Sequence, residues 1–87
     1  MCRNIKRLHN VEPPVGPEEV RDAALQFVRK IAGTTQPSRA NEEAFARAVD
    51  EIAAASERLL SRLVSHAPAQ DRAAAAAKAR QRWQPRV

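Results

Sequence analysis

Two stretches of the chain place their apolar residues at helical spacing. The first stretch repeats apolar positions every three or four residues, as on one face of an α-helix: Val20, Ala23, Ala24, Phe27, Val28 and Ile31. Pro17 suits the first turn of a helix, and Gly33 can take the left-handed conformation that ends one. The pattern therefore predicts a helix over residues 17–32.

The second stretch carries a longer stripe of the same kind. Its members are Phe45, Ala48, Val49, Ile52, Ser56, Leu59, Leu60 and Leu63. Ser38 or Asn41 can cap its start, where acidic residues also suit the helix dipole. We expect a helix from about residue 39 to about residue 65, roughly 40 Å long. Because this helix exceeds the first in length, part of its stripe needs a second cover: the N-terminal arm, the C-terminal segment or another copy of the chain.

The two ends differ from this helical body. Three prolines interrupt the segment after Val11, so we expect it to be extended or turned. After Pro68, an alanine run favours helix over residues 70–83, without a strong apolar anchor before Trp83. We expect this last helix to be frayed or docked only through Trp83. No segment alternates with period two beside a hairpin signal, so no strand is expected.

Together these elements predict an all-α fold: an antiparallel helical hairpin with an extended arm and a loosely attached basic C-terminal helix. The arm covers residues 1–16, the hairpin core residues 17–66, and the basic helix and tail residues 67–87. A chain of 87 residues is one domain at most, and its alanine-rich apolar fraction buries little area per side chain. We therefore expect further cover from a partner, most simply in a symmetric homodimer.

The net charge of +5 belongs to the ends of the chain. Residues 1–16 carry +2, residues 17–66 carry −1 and residues 67–87 carry +4. A face that binds nucleic acid would place basic residues in the body as well. The tail can be a solvated charged segment, or it can contact nucleic-acid phosphate weakly and without sequence specificity. The candidate residues for such contacts are Lys78, Arg80 and Arg82.

The sequence also indicates a compartment. The first ten residues are charged and lack the apolar core of a secretory signal, and no apolar run approaches the ~20 residues that span a bilayer. A single cysteine allows no intrachain disulfide. We therefore expect a cytoplasmic protein without membrane contact.

Cys2 is the sharpest candidate for chemistry. Removal of Met1 would place its thiol beside a free α-amine, and basic neighbours favour the reactive thiolate. Such a thiolate can be a nucleophile, a redox-sensitive group or a metal ligand, with His9 as the base or second ligand in the same arm. Redox or metal chemistry is favoured over catalysis at this thiol, although the metal signal is weak because the chain lacks CxxC and HxxxH spacing. The alternative is that Cys2 is only a small residue near a chain end.

The same arm offers a candidate anion-binding site. An Arg–Lys pair suits a phosphate or a carboxylate. The candidate residues are Arg3, Asn4 and Lys6. The alternative interpretation is a solvated basic terminus.

Several strings of residues also resemble one family. They are Met-Cys-Arg-Asn-Ile-Lys at 1–6, Glu-Pro-Pro at 12–14, Ala-Ala-Leu-Gln-Phe-Val-Arg-Lys at 23–30 and Pro-Ser-Arg-Ala-Asn-Glu-Glu-Ala-Phe at 37–45. In this order they resemble short bacterial proteins catalogued as domain of unknown function 2277, from Met1 to about Arg82. The resemblance implies a small helical bacterial protein and brings no activity, cofactor or partner. Val11 departs from the Asn-Phe-Glu-Pro-Pro string that the resemblance leads us to expect.

The leading hypothesis is a non-enzymatic binding or regulatory module that acts through its N-terminal arm, as a dimer. One alternative is a thiol-dependent redox or metal-binding function at Cys2. Another is nonspecific nucleic-acid association through the C-terminal tail. An enzyme is the least favoured class, because so short a chain offers few candidate catalytic groups, and the sequence names no protein partner.

Overall fold

The computed structural model describes residues 5–82, which are mostly helical. Three helices and two short strands follow in the order β1 Val11–Glu12, α1 Pro17–Ala32, α2 Glu42–Arg62, β2 Gln70–Asp71 and α3 Arg72–Arg82. The strands pair in parallel, with Val11 opposite Gln70 and Glu12 opposite Asp71. The predicted helical character is confirmed. The all-α class is incomplete, because a two-residue pair is too short to leave an alternating pattern in the sequence.

Helix α1 has the bounds that its sequence predicts. Pro17 occupies its first position, acidic residues fill its first turn and basic residues its last, in agreement with the helix dipole. Gly33 ends the helix in the left-handed region at φ 74°, and its N–H donates to the carbonyl of Arg29 at 3.0 Å. Local capping signals therefore determine both ends of this helix.

Helix α2 is shorter than its apolar stripe suggests. A 3₁₀ turn, Arg39–Asn41, precedes it, so the regular helix begins at Glu42 rather than near residue 39. Leu63 is extended, with φ −69° and ψ 137°, so the helix ends at Arg62 and not near residue 65. The polar groups of residues 65–68 contact the N-terminal arm instead of continuing the helix.

Helices α1 and α2 pack through a small core. Their buried residues are Ala24, Val28, Val49 and Ala53, and half-buried apolar side chains surround them. At one edge Arg21 donates to Asp50 at 2.6 Å. Elsewhere in residues 5–82, Val11 and Val20 complete the buried set. No buried side chain is larger than valine, so the core contributes little burial energy.

The molecule is flat. Its Cα atoms span 43 × 43 × 15 Å. The radius of gyration is 15.7 Å, against about 12 Å for a compact chain of this length. Helix α3 packs against β2 rather than over the pair formed by α1 and α2. The large apolar side chains that remain exposed in residues 5–82 are Ile5, Phe27, Ile31, Leu59, Leu63 and Val64.

Helix α3 is attached at its first residues. The carboxylate of Asp71 accepts a hydrogen bond from the N–H of Ala74 at 3.0 Å, which caps the helix start. None of the residues of α3 is buried. The predicted docking through Trp83 lies outside the described residues. Within residues 5–82, no helix combines the length and the apolar character needed to cross a membrane.

Candidate anion-binding site

The candidate site lies where the N-terminal arm meets the C-terminal segment; we call residues 6–13 and 65–72 the arm junction. Asn10 is its central residue, with a left-handed backbone at φ 53°, a conformation that asparagine tolerates better than most residues. Its carbonyl accepts a hydrogen bond from the N–H of Gln70 at 2.9 Å. Its side-chain amide donates at 3.1 to 3.3 Å to three acceptors: Ser65 Oγ, Ala67 O and Pro68 O.

Arg7 shapes the arm from within. Its Nε donates to the carbonyl of His9 at 2.9 Å, and a second guanidinium nitrogen donates to the carbonyl of Asn10 at 3.4 Å. These bonds fix the bend that presents Asn10 to the C-terminal segment. They use neutral acceptors, so the positive charge of Arg7 is not balanced by them.

Three elements meet at Glu19, in the first turn of α1. Arg72, the first residue of α3, donates to the Glu19 carboxylate and also to the carbonyl of Pro13, the latter at 3.2 Å. Lys6 Nζ, from the arm, lies 3.7 Å from Glu19 Oε2. The hydrogen bond and the charge of Arg72, aided by Lys6, hold the pKa of Glu19 below its ordinary value of 4.5, although partial desolvation opposes them.

The basic groups of the junction line one cleft of about 250 Å³. Its lining residues are Lys6, Arg7, Val11, Gln70, Arg72, Ala75 and Ala76. The three cations that line the cleft are Lys6, Arg7 and Arg72, and the acidic residues nearby, Glu12, Glu19 and Asp71, balance their total charge. A guanidinium fork beside an ammonium group is an arrangement that binds phosphate or carboxylate. The cleft is therefore suited to an anion.

Of the predicted arm residues, the structure places one in the cleft and one in another cavity, and the rest lie outside the described residues. Lys6 lines the cleft, whereas Arg3, Asn4 and Cys2 lie outside the described residues. His9 is half-buried and lines a neighbouring cavity of mostly apolar residues, which shares Val11 with the cleft. Among residues 5–82, no three His, Cys, Asp or Glu side chains are grouped to hold a metal ion. The thiol hypothesis at Cys2 stays a prediction.

The predicted nucleic-acid contacts lie apart from the cleft. Lys78, Arg80 and Arg82 are all exposed on α3, and Lys78 is about 9 Å along the helix axis from Arg72. Lys78 and Arg82 share a helix face, while Arg80 points about 200° away from Lys78. The three cations therefore do not form one continuous basic face.

The sequence did not predict that Arg7 and Arg72 share the cleft with Lys6. Arg7 and Arg72 are 65 positions apart, and no periodic pattern connects residues so distant. The one local signal was Asp71, whose capping of α3 places Arg72 at the helix start, next to β2. That signal locates Arg72 on its helix but says nothing about Glu19 or Lys6.

One comparison with known proteins gives a match. The model of a family described as an uncharacterized conserved protein, domain of unknown function 2277, matches residues 1–78. The matched range includes the arm, both hairpin helices and the start of α3, so the whole cleft lies inside it. No curated protein and no solved structure matches the chain.

Proposed function

The chain belongs to the domain of unknown function 2277 family, and from this premise we propose that it is a non-enzymatic binding module whose arm junction holds a phosphate group of its ligand. One observation carries the proposal: cations from both ends of the sequence line the same cleft. Three cations and no acidic residue line the cleft, which suits a phosphate group of charge about −1.5 to −2 at neutral pH.

The donors of the cleft support this proposal. An arginine side chain has five N–H donors and a lysine three. The contacts of Arg72 with Pro13 and Glu19 use two of its five, and the contacts of Arg7 also use two. Both guanidinium groups therefore keep N–H donors for an incoming anion. Lys6 Nζ contacts Glu19 at 3.7 Å, so a bound phosphate would compete with that carboxylate for the ammonium group.

The chemistry of the cleft favours binding over bond cleavage. Its charged groups are cations, which orient and neutralise an anion, whereas His9 lines a neighbouring cavity. The proposal treats α1 and α2 as an antiparallel hairpin that carries the junction at one end. In support, Arg21 reaches Asp50, while Ile31 lines a groove with Phe45. The proposed setting is the cytoplasm, where phosphorylated ligands are abundant.

The test is a titration of the full ¹⁵N-labelled chain with inorganic phosphate, followed by NMR. We expect saturable shifts confined to amides of the arm junction and the first turns of α3. Arg7→Gln should weaken binding about tenfold or more, because it removes a charge-assisted donor. Arg47→Gln, which removes an exposed cation from the far side of α2, is the matched control and should leave the affinity unchanged.

Two results would contradict the proposal. In the first, shifts rise without saturation and are the same in Arg7→Gln and Arg47→Gln, as expected for nonspecific ion screening. In the second, acetate binds as tightly as phosphate, which would indicate a carboxylate site instead.

A further inference from the structure

Helix α2 carries a second apolar seam beside the one that faces α1. Its residues alternate at spacings of three and four, the heptad spacing of a coiled coil: Phe45, Ala48, Ile52, Ala55 and Leu59. Contact with α1 covers this seam only in part. Phe45, Ala48 and Ile52 are half-buried, Ala55 is exposed and Leu59 keeps 56% of its surface exposed.

The five residues of the seam are all apolar, and the nearest charged residues lie at its edge. At about 100° per residue, Arg47 and Asp50 project to other sides of α2, and Glu51 and Arg58 flank the seam at its outer edge. The opposite side of the hairpin carries the Arg21–Asp50 ion pair, whose side chains are both more than half exposed. The seam and the Arg21–Asp50 ion pair therefore lie on different sides of α2.

Within residues 5–82, no other helix packs over the apolar side of the pair formed by α1 and α2, and α3 contacts β2 instead. Stable domains bury their apolar surface between two packed layers, so this side lacks its cover. It exposes 7320 Å² of accessible surface, against roughly 5,100 Å² for a compact monomer of 9.6 kDa. The difference, roughly 2,200 Å² per chain, exceeds the roughly 800 Å² that each partner buries in an interface of standard size.

We propose that a second copy of this chain covers the seam, with the two α2 helices packed antiparallel across a two-fold axis. One register places every large residue of the seam opposite a smaller or flexible one. In it, Ile52 faces Ala55 of the partner subunit, Leu59 faces Ala48 of the partner subunit, and Phe45 faces Arg62 of the partner subunit. The two-fold axis repeats each contact in the opposite sense, and the result is a four-helix arrangement of two hairpins.

The charges at the edge of the seam match in the same register. Glu51 lies beside Arg58 of the partner subunit, and symmetry repeats this pair on the other side of the axis. Such agreement of size and charge within one surface is what a two-fold interface requires, and an unrelated partner would not require it. The seam is separate from the basic cleft, so this inference is independent of the proposed function.

The first test is sedimentation equilibrium of the full chain over a range of concentrations. We expect a reversible monomer–dimer equilibrium. Leu59→Glu should raise the dimer dissociation constant at least roughly 100-fold, because it places two carboxylates in the seam. Ser61→Glu is the matched control: Ser61 is exposed on the same helix and projects about 200° away from Leu59. It should leave the dissociation constant within about threefold.

The second test exchanges the charges of Glu51 and Arg58. It still applies if Leu59→Glu loses its helical circular dichroism and therefore does not fold. Both flanking residues are exposed, so their replacement leaves the core intact. Glu51→Arg and Arg58→Glu should each weaken the dimer about tenfold, and the double variant should restore it. A wild type that is monomeric at every concentration would overturn the inference. So would a dimer that none of these variants weakens, or a double variant weaker than either single one.

Discussion

The hairpin and the arm junction are held together by different forces. In the hairpin, small apolar residues on two helices exclude water from one another. In the junction, hydrogen bonds and ion pairs connect residues that are far apart in sequence, 55 positions for Asn10 and Ser65. Apolar burial stabilises through area, whereas exposed polar contacts each contribute little net free energy. We therefore expect the junction to open at a lower free energy than the hairpin.

The largest effect should come from a charge in the hairpin core. Val28 is buried between α1 and α2, and Val28→Asp should destabilise the fold by more than about 3 kcal/mol, enough to unfold so small a domain. Thermal melts followed by circular dichroism measure this. Val64→Asp is the control at an 81% exposed site and should change stability by about 0.5 kcal/mol or less. Equal melts for the two variants would show that these helices are not the stable part of the molecule.

The next largest effect should be on the opening of the junction alone, with the hairpin unchanged. Asn10→Ala removes the side-chain bonds to residues 65–68 and places alanine in the left-handed region, so junction opening should become easier by about 2 kcal/mol. Asn10→Gly tolerates that backbone and should lose only about 1 kcal/mol. Hydrogen exchange of the Gln70 amide reports the difference. If amides in α1 and α2 lose as much protection as Gln70 does, the junction does not open independently of these helices.

A smaller effect should follow from detaching α3. Arg72→Gln removes the contacts with Glu19 and Pro13, so exchange of the α3 amides should accelerate on the order of tenfold while α2 is unchanged. Arg80→Gln, on the same helix but exposed, should have no such effect. If the two variants behave alike, Arg72 is not what anchors α3.

The smallest effect should be a pH dependence confined to the junction. Arg72 and Lys6 keep the pKa of Glu19 lower in the folded chain than in the unfolded chain. The contribution of this carboxylate is therefore complete above about pH 4.5 and is lost as the pH falls through the folded-state value. NMR shifts of junction amides between pH 7 and pH 3 should show this step in the wild type. A step of the same size in Glu19→Gln would assign it to another group.

The sequence predicts the fold where the relevant signals are local. Both ends of α1 follow from Pro17 and Gly33, which act within one helical turn. The predicted end of α2 is three residues too late, because Asn10 binds residues 65–68 from a distant part of the chain. Phe27 and Ile31 belong to the predicted stripe of α1, yet they are 45% and 69% exposed. Helical periodicity indicates which face is apolar, but it does not show how much of that face a neighbour covers.

Only part of the candidate site could be predicted, because its residues come together from distant parts of the sequence. Lys6 follows from the basic composition of the arm. Arg72 enters the cleft because β1 pairs with β2, and two paired residues leave no period-two signal. The resemblance of the arm and helix strings to the family is confirmed by the match over residues 1–78. Family membership places the cleft within a shared sequence unit but does not identify what binds there.

The pairing of Val11 with Gln70 also determines an order of events during synthesis. The two residues are 59 positions apart, which takes roughly 3 to 12 s at ribosomal speeds of about 5–20 residues per second. The arm is therefore made well before its partner strand exists, and it cannot pair while that strand is still to be translated. Until Arg72 is translated, Glu19 has only Lys6 of its two basic partners, so the cleft is completed only when the C-terminal segment follows.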